Sequence, residues 1–192
     1  GPREMASLFR WCPEAVANTL RIAESCTFDL TKDLDYRFPD YEVPPGHTPQ
    51  TYLEHLCIEA ALRKYGSLTP KVRERLGEEF HLVQRHNLAG FFLIYHDLAQ
   101  MARQVMVDLK LADPEVPLEE NPPGRGRGSS VAMLVGYLLG LSHIDPLRYG
   151  LSLERFLPED TLVSVPDIDL DFPRNIREEL IKRVHQRWGW NR

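Results

Sequence analysis

Residues Val165–Phe172, with the sequence V-P-D-I-D-L-D-F, constrain the fold more than any other stretch of the chain. Three aspartates, Asp167, Asp169 and Asp171, alternate there with large apolar residues. A period of two is typical of an extended strand, whose successive side chains point to opposite faces. The apolar face can pack into a core, whereas three like charges repel one another at spacings of roughly 6–7 Å. The pattern therefore predicts a strand whose acidic face binds a cation.

Magnesium is the cation that suits this pattern best, because it is a hard ion that takes carboxylate oxygens together with substrate phosphates. We therefore expect Asp167, Asp169 and Asp171 to be metal ligands. Two alternatives remain open. Asp167, Asp169, Asp171 and Glu178 also stand at positions 1, 3, 5 and 12 of a calcium-binding EF-hand loop. Position 6, which needs a glycine with positive φ, is however Phe172. The acids could also simply face solvent on an edge strand.

A glycine-rich stretch, Gly124–Ser130 (G-R-G-R-G-S-S), precedes an apolar segment that we predict to be a helix, Val131–Leu141. Glycines let backbone N–H groups approach an anion closely, and a helix beginning at this point would direct its positive end there. Arg125 and Arg127 add guanidinium groups suited to phosphate oxygens. The stretch predicts a phosphate-binding turn, with a flexible hinge before a buried helix as the alternative. Walker A chemistry is excluded because no lysine follows the last glycine.

Most of the remaining chain is predicted to be helical. Apolar periodicity and helix-end signals predict helices over Pro13–Cys26, Pro49–Tyr65, Pro70–His86, His96–Val107 and Asn175–Trp188. The run Phe91–Tyr95 fits either a short buried strand or the start of a helix. Asp29–Pro49 is expected to be irregular, and Leu111–Pro123, rich in proline and acids, to be a linker or exposed loop. We expect a helical part over 1–110, this loop over 111–123, and a core with the turn and acidic strand over 124–192.

Composition narrows the class of protein. A net charge of -5 argues against a basic, histone-like nucleic-acid binder but leaves room for a local basic cleft. The longest apolar run, Val131–Leu141, is too short to span a bilayer, so no membrane partner is expected. Three cysteines without a C-x-x-C pair predict reduced thiols and a cytoplasmic protein.

Several motifs together resemble the family C DNA polymerases, which are the alpha subunits of bacterial DNA polymerase III and their error-prone paralogues. The resemblance covers nearly the whole chain in collinear order. The motifs that carry it are P-E-A-V-A-N-T-L-R-I-A at Pro13–Ala23, T-Y-L-E-H-L-C at Thr51–Cys57, N-L-A-G-F-F-L-I at Asn87–Ile94, G-R-G-S-S at Gly126–Ser130, D-P-L at Asp145–Leu147, E-R-F-L at Glu154–Leu157 and P-D-I-D-L-D-F at Pro166–Phe172. The first of these resembles the segment that follows the family's amino-terminal phosphoesterase-like domain.

The resemblance implies a fold and a site. The fold would be an α+β nucleotidyltransferase palm of the polymerase-beta-like kind, with helices packed on a small mixed sheet that carries the catalytic acids. Asp167 and Asp169 match the family's catalytic pair, which binds two Mg²⁺ ions, and Asp171 matches a recurrent acid of the same motif. Nucleotide binding is implied for four residues: Arg127, Gly128 and Ser129 match the element that holds the incoming triphosphate, and Arg155 matches a basic residue near the same phosphates.

The implied activity is template-directed addition of deoxynucleotides to a primer 3′-hydroxyl, in DNA replication, repair or translesion synthesis. The implied partners are primer-template DNA, deoxynucleoside triphosphates, the remainder of the polymerase chain and, through other regions, a sliding clamp. The family's third carboxylate lies beyond residue 192, so we expect little polymerase activity from this piece alone. The sequence does not separate a main replicase from an error-prone paralogue. A non-catalytic interaction module is the alternative function.

Overall fold

The computed structural model describes residues 1–29, 41–153, 156–157 and 166–189. The chain divides into two compact units, Gly1–Arg37 and Phe38–Arg192. The first unit contains α1 (Pro2–Leu8) and α2 (Pro13–Ser25), and each begins with a proline in its first turn, where a missing N–H costs nothing. The prediction of a helix over Pro13–Cys26 is confirmed to within one residue.

Three long helices form the body of the second unit: α3 (Pro49–Tyr65), α4 (Pro70–Arg85) and α5 (Ala89–Asp108). Thr48 and Thr69 cap α3 and α4, each accepting a hydrogen bond from a backbone N–H of the first turn. The run Phe91–Tyr95 lies inside α5, so of its two predicted alternatives the helix is correct and the strand is wrong.

The irregular segment between α5 and the glycine-rich stretch has no helix or strand, as predicted, but it is not a free linker. Arg103, a buried side chain of α5, donates hydrogen bonds to the backbone carbonyls of Asp113 (2.6 Å), Val116 (3.0 Å) and Asn121 (3.2 Å). Three carbonyls spread over nine residues are thus tied to one guanidinium. The segment therefore follows a fixed path into the next strand.

Short elements complete the second unit. They are β1 (Arg125–Arg127), a 3-10 helix (Gly128–Ala132), α6 (Leu134–Leu138), α7 (Pro146–Tyr149), β2 (Asp169–Asp171), a second 3-10 helix (Arg174–Ile176) and α8 (Arg177–Trp188). The last two correspond to the helix predicted over Asn175–Trp188.

The predicted helix over Val131–Leu141 is wrong. The chain forms a 3-10 turn up to Ala132, becomes extended at Met133 with ψ 125°, and only then starts the five-residue α6. The break has a tertiary cause, because Glu79 of α4 accepts hydrogen bonds from the N–H groups of Leu134 and Val135, both at 2.8 Å. Those two amides therefore cannot continue a helical ladder from the preceding turn.

The two strands form an antiparallel ladder in which Arg125 pairs with Asp171, Gly126 with Leu170 and Arg127 with Asp169. Within the described ranges this is the whole sheet, so the expected mixed sheet is corrected to an antiparallel one. Helices plus a small antiparallel sheet are compatible with the predicted α+β class.

The main core gathers apolar side chains from α3, α4, α5 and α6 together with Ile168, just before β2. This core draws on residues before and after the 111–123 segment, and the predicted division at that segment stays a prediction. A second cluster joins α8 to α5 through Ala102, Val105, Ile176 and Leu180, and Phe172 packs against it. The residues on both sides of β2 are thus anchored in packed apolar surroundings, which fixes the acidic strand in space.

Candidate functional site: an acidic strand paired with an arginine-bearing turn

The acidic segment alternates in burial as its sequence predicts. Asp167, Asp169 and Asp171 are exposed, whereas Ile168 is buried at 6% exposure and Leu170 is partly buried against the main core. The regular strand is shorter than Val165–Phe172, because only Asp169–Asp171 pair with a neighbour, Asp167 precedes the ladder, and Val165 lies outside the described residues. One face of this segment therefore presents three carboxylates to solvent.

The ladder brings Arg127 onto this acidic face. Arg127 stands opposite Asp169 in the register, and its Nη2 lies 4.0 Å from Asp169 Oδ1. Its Nε lies closer to the next acid, 3.0 Å from Asp171 Oδ2. All three side chains are about 60% exposed, so these ion pairs are screened by water and contribute little to stability. The sheet thus places the arginine of the predicted phosphate turn beside the predicted metal ligands.

The turn after β1 is shaped by glycine and a serine. Gly128 has φ +69°, a left-handed conformation that L side chains rarely adopt, and both Gly128 and Ser129 are exposed. The buried Ser130 hydroxyl donates to the carbonyl of Arg127 at 2.8 Å and closes the turn. Gly128 and Ser129 therefore remain accessible at the end of the strand that carries Arg127.

Tyr95 of α5 is a neighbour that the sequence analysis did not single out. Partial burial is the main cause that raises the pKa of its phenol. The charges of Asp167 and Asp169 raise this pKa further, while a hydrogen bond with the backbone of Ile168 opposes the shift. The sequence feature that could have revealed this neighbour is a tyrosine in the otherwise apolar run Phe91–Tyr95. The hydrogen bond between the Tyr95 phenol and the backbone of Ile168 places α5 next to the acidic segment.

Arg75 and Glu79 of α4 were also missed as part of this region. Glu79 is fully buried, and its Oε1 accepts a hydrogen bond from Arg75 Nε at 2.8 Å. Burial raises the pKa of Glu79, while hydrogen bonds from the N–H groups of Val135 and Leu134, and then Arg75, oppose that shift. A charged pair at i and i+4 usually lies on a solvated helix face, so the sequence offered no sign of burial.

Not every predicted site residue can be placed. Arg155 lies outside the described residues, so its predicted role near the phosphates stays a prediction. Across the described ranges, no three His, Cys, Asp or Glu side chains are grouped closely enough to hold a metal ion by themselves. The acidic face has the right donor chemistry for Mg²⁺, which commonly binds one or two carboxylates and completes its shell with water and substrate phosphates.

Comparison with known proteins identifies the family. The family described as "Bacterial DNA polymerase III alpha NTPase domain" matches residues 51–192. DNA polymerase III subunit alpha of Halalkalibacterium halodurans is 37% identical over 190 residues, which cover 98% of this chain and 16% of that protein. The error-prone DNA polymerase of Bradyrhizobium diazoefficiens is 38% identical over 193 residues, covering 100% and 15%. The error-prone DNA polymerase of Cutibacterium acnes is 38% identical over 186 residues, covering 97% and 15%.

The chain belongs to the bacterial DNA polymerase III alpha family, as its motifs indicated. It spans about one sixth of the length of the relatives it matches. Those relatives include both subunits alpha and error-prone polymerases at nearly equal identity, so the comparison does not separate the two groups. Among the described residues, no helix is long and apolar enough to cross a membrane.

Proposed function

We propose that this chain forms part of the palm of a DNA-directed DNA polymerase, in which it carries two catalytic acids and the turn that binds the incoming triphosphate. The observation that best supports the proposal is the ladder, because it pairs Arg127 with Asp169 although some forty residues separate them. A polymerase needs carboxylates for metal and cationic or N–H groups for phosphate within one site. Here both sets of groups lie on two hydrogen-bonded strands.

Asp167 and Asp169 would hold two Mg²⁺ ions, since both carboxylates are exposed and lie on one face of the segment. Bound there, the ions would lower the pKa of the primer 3′-hydroxyl and stabilise the leaving pyrophosphate. Asp171 is proposed as a further metal ligand on the same face, ranked below the other two. Its carboxylate also contacts Arg127 at 3.0 Å, in an exposed ion pair that water screens.

Arg127 would bind the triphosphate, with Gly128 N–H and the Ser129 hydroxyl as further donors. Its guanidinium is 60% exposed, and in the part of the chain that the structure describes its ion pairs with Asp169 and Asp171 are weak and solvated. A triphosphate carries more negative charge than one carboxylate and offers bidentate oxygen pairs to a guanidinium. Arg127 can therefore exchange one anion for another at small cost. Arg155 is proposed to act near the same phosphates.

The substrates and partners of the whole protein are part of the same proposal. They are primer-template DNA, deoxynucleoside triphosphates, the remainder of the polymerase and, through other regions, a sliding clamp, all in the cytoplasm. We further propose that residues 1–192 alone have little activity, because the family's third catalytic carboxylate is expected further along the chain. Robust primer extension by residues 1–192 would contradict this part.

Substitution of the acids tests the proposal. Asp167→Asn and Asp169→Asn, made separately in the full-length protein, should each abolish Mg²⁺-dependent primer extension, because a neutral amide is a poor magnesium ligand. Glu78→Gln removes an exposed acid of α4 outside the site and serves as the matched control, with activity expected to remain within about twofold of wild type. Retained synthesis in both aspartate variants would refute the assignment.

The calcium-loop alternative does not fit the structure. A positive φ is needed at its position 6, but among the described non-glycine residues only Asn87 and Lys110 have positive φ, and Phe172 does not. Asp169–Asp171 are also paired in a ladder rather than wrapped around an ion. The alternative of a non-catalytic module predicts that the full-length protein binds neither primer-template DNA nor nucleotide, which a fluorescence titration with both would reveal.

A further inference from the structure

We propose that Arg75 and Glu79 are positioning residues for the incoming nucleotide, acting by fixing the turn that presents Gly128 and Ser129. This inference rests on the proposed function and deepens it. It assigns a role in substrate binding to two side chains of α4 that hydrogen-bond to the backbone of Ala132, Leu134 and Val135, just after the exposed Gly128 and Ser129.

Both sides of the backbone break at Met133 are held by this pair. On the far side, the Glu79 carboxylate accepts from the N–H groups of Leu134 and Val135, one to each oxygen and both at 2.8 Å. On the near side, Arg75 Nη2 donates to the carbonyl of Ala132 at 2.8 Å. One charged pair therefore sets where the 3-10 turn stops and where α6 starts.

The pair of Arg75 and Glu79 is itself tightly fixed. Arg75 Nε donates to Glu79 Oε1 at 2.8 Å, and the same Nη2 that binds Ala132 also reaches the carbonyl of Leu151 at 3.0 Å. The Glu79 side chain is 0% exposed and that of Arg75 is 16% exposed. Hydrogen bonds between charged groups in such surroundings are stronger and more directional than exposed ones.

The turn is held at both ends, and the buried Ser130 hydroxyl also closes it through the carbonyl of Arg127. Its start is the ladder, where Arg127 pairs with Asp169, and its end is the contact of Ala132, Leu134 and Val135 with the pair. Gly128 and Ser129, between these anchors, are exposed. Loss of the hydrogen bonds from the pair leaves the second end held by the apolar packing of Met133, Leu134 and Val135, which is less directional, and this lowers the preorganisation of Gly128 and Ser129 for the triphosphate.

The charges of Glu79 and Arg75 are needed for these contacts. An ionised Glu79 is the form that can accept from two backbone N–H groups and from Arg75 at once. Glutamine has nearly the same shape, but its NH₂ group would face a donor, so Glu79→Gln breaks at least one of these contacts with little change in volume. Arg75→Lys keeps the positive charge but loses the planar fork that reaches both the carboxylate and the carbonyl of Ala132.

The test uses steady-state primer extension by the full-length protein, with the KM for deoxynucleotide and the Kd for primer-template DNA measured separately. Glu79→Gln and Arg75→Lys should raise the nucleotide KM by about tenfold, the range expected when a charge-assisted hydrogen bond is lost, and leave the DNA Kd within about twofold. Val72→Ala, which removes buried methyl groups from the same helix, is the control for general destabilisation and should leave the nucleotide KM unchanged.

Hydrogen exchange gives a second readout that does not need activity. In Glu79→Gln, amides of 128–138 should exchange faster while those of α5 keep their wild-type rates, because α5 is held by contacts that do not involve the pair. Arg75→Lys carries the test if Glu79→Gln fails to fold.

The outcomes are distinct. An unchanged nucleotide KM in an active Arg75→Lys variant, or an equal rise in Val72→Ala, overturns the positioning role and leaves the proposed function standing. Absence of synthesis by the wild-type protein overturns the proposed function, while faster exchange confined to 128–138 would still support the structural part of the role.

Discussion

Gly126, the central residue of β1, lies so close to neighbouring backbone that a side chain there would displace the strand that carries Arg127. A Cβ added there would lie 2.7 Å from the carbonyl oxygen of Leu141 and 3.6 Å from its carbon. Both are backbone atoms, so neither can rotate out of the way as a flexible side chain would. Gly126→Ala must therefore move β1 away from 141–142, and Arg127, the next residue, moves with it.

The magnitude follows from the kind of contact. Overpacking that forces backbone to shift typically costs 1–3 kcal/mol, and we expect about 2 kcal/mol for Gly126→Ala. For a chain of this length, each kcal/mol lowers the melting temperature by about 2–4 °C, which gives a decrease of roughly 4–8 °C. Because the displaced strand carries Arg127, the same variant in the full-length protein should also lose most nucleotide incorporation.

Thermal unfolding followed by circular dichroism measures the first effect, and two other glycines provide matched controls. Gly77 lies in α4 with nothing within 4 Å of an added Cβ, so Gly77→Ala should stabilise the chain by about 0.5–1 kcal/mol. Gly128 also has open space but φ +69°, so Gly128→Ala should cost about 1–2 kcal/mol through backbone strain alone. A Gly126→Ala chain that melts within about 1 °C of wild type would refute the close approach.

Three further predictions concern charged and titratable groups. Arg127→Ala should change stability by less than about 1 kcal/mol, because its ion pairs are exposed, yet it should weaken triphosphate binding measured by fluorescence titration. Burial lowers the pKa of His96, so the neutral ring stabilises the fold above the unfolded pKa near 6.5, and this contribution disappears as pH falls through the lowered folded value. The free energy of unfolding measured with urea should therefore decrease from pH 7.5 to 5.5, by at most about 1.4 kcal/mol per pH unit for one proton. His96→Gln should flatten this decrease. His81→Gln, at an exposed position, is the control and should not. Arg103→Met removes three hydrogen bonds to backbone carbonyls and should expose 111–123 to limited proteolysis. An unchanged cleavage rate would show that these hydrogen bonds do not hold the segment in place.

Features that depend on neighbouring residues in the sequence were predicted well. The alternation around Ile168 fixed which side chains face the core, since a period of two has the same consequence in any sheet. Helix starts marked by a threonine followed by a proline, as at Thr48 and Thr69, were located within a residue or two. These signals depend on neighbouring residues, and tertiary contacts do not override them at these positions.

Features decided by distant contacts were predicted poorly. The apolar run after Ser130 has the composition of one helix. Glu79, about 55 residues earlier in the chain, accepts hydrogen bonds from the N–H groups of Leu134 and Val135 within that run, and the helix is interrupted there. The same limit applies to the site, where the motifs named the acids and Arg127 separately. Their pairing register depends on how β1 and β2 meet, and no spacing rule encodes it. The buried ion pair of Arg75 with Glu79 likewise cannot be predicted from the sequence, because its burial depends on how α4 packs against distant residues.

The brevity of the ladder between β1 and β2 has a consequence for the order in which the molecule folds. Within the described residues, three residue pairs close a loop of roughly forty residues, and a two-stranded sheet of this size is marginally stable by itself. The entropy of closing that loop must be offset by the helical core that already brackets both strands. We therefore expect the acids and Arg127 to come together late in folding, after α3 to α6 have packed. We also expect a chain with a weakened core to lose its site before it loses its helices.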